Sequence, residues 1–535
     1  MSRFFSSKQD NAKDKQEESK QQQNNQSNQG SQDAAGGGQN GGQAAGGSAL
    51  SKSLDENIAT IRGLYEDVDI LRIKHLVSER DPNTVYCIVY LDGMVDPVIM
   101  NESLIKPLVK SPVPLDENDP IYTLMTQIIQ INEMKDASDI SELVEAIAYG
   151  DTVLLVDGLD QAVILNTRGF KSRSITEPEN EKNITGPREG FTESLTVNLS
   201  MVRRRVLSPD LKMKFRTLGN RTKTRACICY MEDLVDKQIL EELYRRLSQI
   251  DIDAVLDTHY ITELIGDAPW SPFRTVGYTE RPDVVVGKLM EGRVAIFLDG
   301  TPEVLTVPYL FIENFQSSED YYLNFYYTSF ARFVRIIGFI LTVTVPAIYI
   351  AILAYHPEMM PLQLFISIAA ERQSVPLPAA LEAYVMLFVF DILKETGVRM
   401  PSSIGQTLSI VGALVIGEAS VEAKLIAAPM IIVVGLTGIT SLLVPKLNAP
   451  VIYIRFFLLT LATLFGFYGL IIGASCVLIH LLSLRSFGVS QITITGKLRF
   501  QYLKDTVVRA PWWKMILRPV FSRDKVRQVE GELPK

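Results

Sequence analysis

The side chains with the most potential for chemistry are charged groups that interrupt the apolar C-terminal half of the chain. Glu382 and Glu418 lie within otherwise apolar runs, and Glu371 and Arg372 are neighbours shortly before them. Because a charge at the centre of a membrane helix costs on the order of 3 kcal/mol on insertion scales, such groups normally face a bundle interior or a water-filled path. We predict that Glu382 and Glu418 line an ion or solute path, and that Glu371 and Arg372 form an ion pair within the membrane.

A second interpretation applies to every charge in this region. Charged side chains near the ends of a span can reach the membrane–water interface while their stems stay in apolar surroundings. We favour this interpretation for Asp391, Glu422 and Lys424, which lie near segment ends. For Glu382 and Glu418 both interpretations stay open.

The sequence carries no common catalytic, nucleotide-binding or metal-binding motif. The patterns GxxxxGK[ST], GxSxG, HExxH and CxxC do not occur. The four histidines are isolated from one another in sequence: His75, His259, His356 and His480. We therefore predict that the protein is not an enzyme and has no catalytic residue, metal or cofactor.

Composition bears on two further classes of protein. A formal net charge of −8 and a pI near 5.4 argue against nucleic-acid binding, which calls for a net basic surface. Four scattered cysteines are too few for a disulfide framework. Cys227 and Cys229 stand two apart in a strand-like run, so we expect both on one sheet face in the core.

The elements that position these residues begin after an unusual N-terminal segment. Residues 8–49 are rich in Gln, Asn, Gly and Ser, a composition that cannot bury enough apolar surface to offset the entropy of ordering. We predict a disordered tail there. No secretory signal opens the chain, so we expect the long region before the first apolar span to be cytoplasmic.

The next 250 or so residues alternate between strand-like and helix-like patterns, which indicates α/β structure. Residues 237–250 have helical periodicity, and the strand-like runs are 84–93, 152–158, 161–167, 224–232, 283–289 and 293–300. An internal repeat is visible, since 87–108 parallels 227–247 and 148–167 parallels 289–308. The offsets of 140 and 142 residues, from Cys87 to Cys227 and from Asp157 to Asp299, predict two tandem copies of one unit. In each copy an Asp-Gly pair between two apolar runs predicts a hairpin.

Five apolar segments follow, at 333–355, 379–397, 403–420, 423–444 and 451–484. The last is long enough for one helix or for two short helices broken near Gly466 and Gly469. Basic residues flank both ends of the region, so the positive-inside rule places both ends in the cytoplasm and requires four or six spans. With four spans, segment 403–420 would be re-entrant. Trp512 and Trp513, with basic neighbours, suit the cytoplasmic membrane interface.

We therefore predict a multi-domain α/β plus α-helical membrane protein. Its parts are a disordered tail at 1–50, a first α/β subdomain at 51–170, a linker at 171–215, a second α/β subdomain at 216–320, a transmembrane bundle of four to six helices at 321–485 and a basic amphipathic cytoplasmic tail at 486–535.

Several long motifs resemble the A-subunit family of spore germinant receptors. They are GPREGFTE (186–193), GYTERPDVVVGKLMEGRVAIFLDGTP (277–302), YLFIENFQSSEDYY (309–322), ISIAAERQSVPLPAALEAYVM (366–386), GALVIGEASVEAKLIAAPMIIVV (412–434) and RAPWWK (509–514). The resemblance covers about residues 55–519, and the Gln-rich tail lies outside it.

The resemblance implies a multi-pass receptor subunit in the spore inner membrane or cell membrane. Its implied partners are a transporter-like B-type subunit, a C-type lipoprotein subunit, membrane lipid and further copies of itself, as a pentamer. The implied activity is nutrient-gated release of monovalent cations, and the implied soluble region is a two-subdomain α/β module. Arg188, Glu189 and Arg281 lie in the soluble motifs and become candidates to couple subdomains or partner subunits, with plain surface charge as the alternative.

We therefore expect a subunit of a nutrient receptor that triggers spore germination. An amino-acid transporter-like permease is the first alternative, disfavoured because transporters usually have inverted repeats and more spans. A membrane-tethered enzyme is disfavoured by the missing motifs. A non-conducting scaffold of the receptor stays open.

Overall fold

The first α/β domain contains a five-stranded antiparallel sheet. The computed structural model describes residues 49–79, 82, 84–111, 113, 119–169, 177–178, 181–399, 412, 415–492, 505–518, 521–524 and 526–527. In chain order the domain consists of α1 (Leu54–Leu64), β1 (Leu71–Val77), β2 (Val85–Leu91), α2 (Pro97–Ile99), a π-helical turn (Met100–Ile105), α3 (Lys106–Lys110), α4 (Pro120–Thr123), a second π-helical turn (Leu124–Ile128), β3 (Met134–Ala137), α5 (Ile140–Tyr149), β4 (Thr152–Val156) and β5 (Ala162–Leu165). The strands pair in the order β1-β2-β4-β5-β3.

The second α/β domain repeats this strand order. Its elements are α6 (Leu195–Arg203), β6 (Leu211–Leu218), β7 (Thr224–Met231), α7 (Lys237–Ser248), α8 (Thr258–Ile265), β8 (Gly277–Thr279), α9 (Pro282–Leu289), β9 (Val294–Leu298) and β10 (Val304–Val307). The strands pair in the order β6-β7-β9-β10-β8, again antiparallel. The predicted tandem repeat is therefore confirmed.

Each copy opens with a helix whose start is bonded to the Asp-Gly hairpin. Asp157 Oδ1 accepts a hydrogen bond from Leu54 N at 3.4 Å, and Asp299 Oδ1 accepts one from Leu195 N at 3.0 Å. The glycine after each aspartate has a φ of +84° or +93°, a left-handed conformation that glycine adopts without steric cost. The repeated unit thus also includes the opening helix, α1 in the first copy and α6 in the second. This helix lies outside the parallel sequence segments from which the repeat was predicted.

Two parts of the second domain differ from the sequence prediction. Helix α6 lies within 171–215, the range predicted as a linker, and strand β6 begins in that range. The strand LKMKFRTL alternates apolar and basic residues because it is an edge strand, and this weakens its apolar signal. Residues 283–289, predicted as strand-like, belong to helix α9. Pro282 starts this helix, and Val285 and Leu289 are buried four residues apart on one face.

The two domains share one hydrophobic core. Fully buried side chains from both sheets and from the helices between them meet there, including Ile61, Leu143 and Phe297. Cys227 and Cys229 belong to this core, and their Sγ atoms lie 3.8 Å apart on one face of β7. The prediction that both cysteines are buried on one sheet face is confirmed.

Apolar helices follow the second domain. They are α10 (Phe325–Tyr355), α11 (Leu362–Arg372), α12 (Ala379–Arg399), a helical stretch at 415–422, α13 (Ala428–Ser441) and α14 (Asn448–Ser483). Within the described residues, two stretches are long and apolar enough to cross a membrane, Phe325–Tyr355 with a mean hydropathy of 2.5 and Pro445–Ser483 with 2.1. Most of the predicted segment 403–420, and the predicted disordered tail up to residue 48, lie outside the described residues.

Helix α14 consists of two antiparallel halves joined at Gly466. This residue has φ +58° and ψ −137°. A Cβ atom on Gly473 would lie 2.8 Å from Leu458 Cδ2, whereas the two residues would be roughly 22 Å apart along a straight helix. Tyr355, at the end of α10, donates hydrogen bonds to two carbonyl groups exposed by the break, at 2.6 and 3.0 Å. Of the two alternatives that the sequence left open for this segment, the structure has the two short helices broken at Gly466.

Both ends of α14 lie on the side of the second domain. His480 Nε2 is 2.8 Å from Ser271 Oγ, and Lys446, just before the helix, pairs with Glu181 at 3.2 Å. The chain then forms a two-stranded ribbon, β11 (Arg485–Ser486) and β12 (Val489–Ser490).

Candidate functional site

A fully buried arginine connects the first apolar helix to the turn that precedes it and to the C-terminal segment. Arg332, in the third turn of α10, donates from Nε to Asp320 Oδ2 at 2.9 Å and from Nη1 to Asp505 Oδ1 at 3.0 Å. Arg335 Nη1 also binds Asp320, at 3.0 Å, and the ring of Tyr321 lies 5.5 Å from the Arg332 guanidinium. We call Arg332, Asp320 and Asp505 the junction triad. Breaking a buried pair of this kind leaves an uncompensated charge, so the triad resists separation of its three segments.

Local sequence explains how Asp320 is placed. Residues Ser318–Tyr321 form a 3₁₀ turn whose start is capped reciprocally by Ser317 and Asp320. Asp320 Oδ2 accepts from Ser317 N at 3.2 Å, and its backbone carbonyl accepts from Thr328 Oγ1 at 3.1 Å. The turn that precedes α10 thus fixes the carboxylate of Asp320. It holds this group level with the third turn of the helix, where Arg332 lies.

A second buried ionic cluster lies on the preceding turn and centres on Glu313. Its carboxylate accepts from Arg293 Nη1, lies 3.0 Å from Lys288 Nζ and accepts from Leu310 N at 2.6 Å. Burial raises the pKa of Glu313, but the positive charges of Arg293 and Lys288 outweigh it and hold the pKa at about 2.

This depressed pKa predicts a pH dependence of stability. Above the ordinary value of 4.5 the contribution of ionised Glu313 is complete, about 3 kcal/mol, and it is lost as the pH falls from 4.5 towards 2. We expect Glu313→Gln to lower the free energy of unfolding at pH 7, and the difference from wild type to shrink below pH 4.5. Thermal unfolding of the full chain in nanodiscs across this range tests the prediction. A difference that is constant with pH would contradict it.

Arg281, one of the predicted coupling residues, is fully buried at the start of α9. It pairs with Asp283 at 2.9 Å and donates to the backbone carbonyls of Pro187 at 2.7 Å and Glu181 at 3.2 Å. It therefore holds the segment that precedes α6 against the second domain. Because Glu181 also pairs with Lys446, this segment reaches the loop before α14.

The other two predicted coupling residues have different environments. Glu189 binds Arg204 at 2.8 Å and also Arg205, just after α6. Arg188 is exposed and lies 3.9 Å from Glu177. The motif GPREGFTE thus binds the second domain through Glu189, whereas Arg188 points outward.

Glu382 is fully buried where three helix ends meet. Arg372 Nη1, at the end of α11, donates to its Oε2 at 2.8 Å, and the backbone N–H of Ala427, before α13, donates to its Oε1. Arg372 thus pairs with Glu382 and not with its neighbour Glu371, because consecutive helical residues do not face each other. Glu371 is exposed, and so is Glu418 in the stretch 415–422. The structure therefore brings together two of the four predicted membrane residues.

A further buried ion pair was not among the predicted sites. Arg455, almost fully buried in α14, pairs with Asp391 of α12. Lys394, one turn further along α12, donates to Asn448 Oδ1 at 2.9 Å. Asp391 therefore faces the helix bundle and not the interface predicted for it. A lone arginine within the apolar run 448–483 is the sequence signal that identifies this site.

Among the described residues, one group combines metal-ligand side chains at short range. Asp257, His259 and Glu303 offer ligand atoms within 4.8 Å of one another. His259 Nδ1 lies 3.1 Å from Asp257 Oδ2 and 3.4 Å from Glu303 Oε2, and Asp257 also accepts from Thr258 N at the start of α8. These contacts account for the group as a hydrogen-bonded helix cap.

These features define a class of protein with two tandem α/β domains joined by buried ion pairs to helices long and apolar enough to cross a membrane. The family within that class follows from comparison with known proteins. The model of the Bacillus/Clostridium GerA spore germination protein family matches residues 57–521, and the chain belongs to this family.

Individual relatives cover most of the chain. Spore germination protein KA of Bacillus subtilis (strain 168) is 40% identical over 493 residues, which is 91% of this chain and 90% of that protein. Spore germination protein B1 of the same organism is 35% identical over 483 residues, 90% of this chain and 99% of that protein. The uncharacterized membrane protein YfkQ, also from this organism, is 41% identical over 439 residues, 82% of this chain and 85% of that protein. The predicted family is confirmed.

A solved structure also matches the chain. It is the crystal structure of the N-terminal domain of the A subunit of the Bacillus megaterium spore germinant receptor GerK3. The match has 31% sequence identity and a TM-score of 0.39, and it covers 50% of this chain and 98% of that one.

Proposed function

We propose that this chain is the A-type subunit of a spore germinant receptor in the spore inner membrane. Copies of the chain would form a ring of five around a nutrient-gated ion channel, together with a transporter-like B-type and a lipoprotein C-type subunit. The junction triad is the observation that carries the proposal. Because Arg332 is fully buried and binds carboxylates on two other segments, a displacement of the soluble half is transmitted to the first membrane helix.

Six membrane crossings account best for the path of the chain. Helix α10 leads away from the second domain to Tyr355, which covers the break at Gly466. Helix α12 returns, since Lys394 near its end contacts Asn448 at the start of α14. The predicted segment 403–420 would cross away from the second domain again, and α13 would cross back. The two halves of α14 would add two more crossings. An even number keeps both ends of the chain on one side, as the flanking basic residues require.

Within this bundle, Glu382 and Glu418 are our candidates for the ion path. Glu382 has no exposed surface and pairs with Arg372, which supports a state of the proposed channel that is closed to ions at this carboxylate. Glu418 is exposed on a single chain, where a neighbouring copy or lipid would contact it.

Ion flux through reconstituted protein tests the proposal. The chain is purified, placed in liposomes alone and with its B-type and C-type partners, and monovalent-cation release is followed with and without nutrient. We expect flux only from the complete complex with nutrient. A correctly assembled, nutrient-binding complex that passes no ions would make the chain a scaffold. Net nutrient accumulation in the liposomes would instead identify a permease.

A further inference from the structure

A cavity of about 830 Å³ lies where the second domain meets the membrane helices and the C-terminal segment 505–527. We call it the junction cavity. Its walls come from α9 and the turn that follows it, from the turns between Phe311 and Tyr321, from α10 at Arg335, and from the loop before α14. Its volume is in the range of cavities that bind small molecules. Neither the sequence motifs nor the proposed ion path accounts for it.

The charge of the cavity is opposite to that of the chain. Seven lysines and arginines but five aspartates and glutamates line it, whereas the whole chain has a net charge of −8. A concave site with low-dielectric walls concentrates such a field and attracts ligands of opposite charge. The local excess of positive charge therefore favours an anionic ligand.

The excess is concentrated on one wall, around the turn between α9 and β9. Lys288, Arg293 and Arg527 share only two carboxylates, because Arg293 binds both Glu313 and Glu291 and Arg527 binds Glu291 at 3.0 Å. The same wall carries a fourth cation, Arg518, whose Nε donates to the Met290 carbonyl at 3.1 Å and whose ion-pair partner, Asp524, is half-exposed.

Two details suit this wall to a ligand. Lys288 Nζ contacts Thr306 Oγ1 at 2.9 Å and Glu313 at 3.0 Å, so among the described groups two of its three N–H donors are engaged. The aromatic rings of Tyr309, Tyr321 and Trp512 also line the cavity, so part of the surroundings of these cations is apolar. An ionic contact formed there is stronger than one formed in water.

We infer that the junction cavity binds a phosphate group, held by Lys288, Arg518 and Arg527. The four cations on this wall face three carboxylates, Glu313, Glu291 and Asp524, which leaves a net positive charge, and the arginine fork matches phosphate oxygens in pairs. This phosphate group could belong to a soluble phosphorylated metabolite or to a phospholipid headgroup. A headgroup is included because the cavity also reaches Leu443, beside the membrane helices. A ligand that contacts both the second domain and α10 would stabilise their junction. The inference concerns binding and holds whether or not the chain conducts ions.

Trp512 provides the readout. It lines the cavity, whereas Trp270 is 98% exposed and Trp513 does not line it. The full chain carrying Trp270→Phe and Trp513→Phe is placed in phosphatidylcholine nanodiscs. Inorganic phosphate, glycerol 3-phosphate and, as the uncharged control, glycerol are titrated at constant ionic strength with potassium chloride. A parallel series uses nanodiscs that contain phosphatidylglycerol.

For a soluble ligand we expect a saturable change of Trp512 fluorescence with phosphate or glycerol 3-phosphate and none with glycerol. Arg518→Gln and Arg527→Gln should each weaken binding about tenfold or more, because each removes a charge-assisted contact. Arg221→Gln, which removes a cation from an exposed pair outside the cavity, should leave binding unchanged.

A response to phosphatidylglycerol alone that both cavity variants abolish assigns the site to a headgroup. No response in folded protein to either source, or equal weakening by Arg221→Gln, would overturn the inference. Thermal unfolding of each variant establishes that it is folded.

Discussion

Arg332→Ala is expected to lower the free energy of unfolding by about 3–5 kcal/mol, the usual cost of removing one partner of a buried ion pair. The substitution removes one of the two α10 arginines that bind Asp320, which is 2% exposed, and leaves it with the partly exposed Arg335. It also removes the arginine partner of Asp505, so the C-terminal segment loses its ion pair with α10. Spores that carry this variant should hold less receptor and should not germinate with nutrient. Receptor level by immunoblot and germination by loss of optical density measure the two effects.

Arg335→Ala is the matched control. Arg335 lies one turn further along α10, binds Asp320 but not Asp505, and is 22% exposed. We expect a loss of about 1 kcal/mol, as for a partly exposed pair. Arg332→Lys keeps the positive charge but loses the planar guanidinium that binds two carboxylates at once. This variant therefore tests whether coupling needs that geometry in addition to the charge that stabilises the fold. If Arg332→Ala spores made normal amounts of receptor and germinated normally, the junction triad would have no role in coupling.

The strands that sequence predicts are the central strands of the two sheets. In β4 and β9 every residue is buried, and their continuous apolar runs therefore stand out. The strands that sequence misses include the outer strands β1, β3 and β6, where charged residues such as Lys74 and Lys135 are exposed on one face. The repeat is detectable because the offset between copies is preserved in these central strands and in the Asp-Gly turns.

The candidate site is less predictable because its pairs join distant parts of the chain. Arg332 and Asp505 are 173 residues apart, and nothing in the local pattern around either residue specifies the other. Arg332 and Arg335 instead match the basic flank of a membrane span, a pattern that gives orientation but not burial. Glu382 is recognisable as a charge within an apolar run, but its partner depends on where α11 ends and α13 begins. For the same reason, the adjacency of Glu371 and Arg372 predicts a pair that the helix geometry does not form.

The triad and the Glu382 pair lie at opposite ends of the helix bundle. The triad fixes α10 where it leaves the second domain, and Tyr355 at the other end of α10 covers the break in α14. A change at the triad that moved α10 along its axis would therefore also disturb the break at Gly466. Because α10 and α14 pack along their length, this is a contiguous route from the soluble half to the far end of the bundle.

Glu382→Ala is expected to give cation flux that no longer depends on nutrient. In the proposed channel the pair of Glu382 and Arg372 would stabilise the closed conformation, and its loss would shift the equilibrium between closed and open by about 3–5 kcal/mol, or roughly two to four powers of ten. The substitution also leaves the buried N–H of Ala427 without its acceptor, which weakens the same contact between α12 and α13. Release of monovalent cations from liposomes that contain the complete complex, measured without nutrient, reports the shift.

A double-mutant cycle with Arg372→Ala assigns the effect to the pair. If the pair holds the gate, the double variant should leak no more than Glu382→Ala, because the interaction is already lost in the single variant. Glu371→Ala is the matched control, since this neighbouring carboxylate is exposed, and its flux should stay dependent on nutrient. Glu418→Ala should change flux only if a neighbouring copy brings that carboxylate onto the ion path. Nutrient-dependent flux at the wild-type level from folded Glu382→Ala complex would exclude Glu382 from gating.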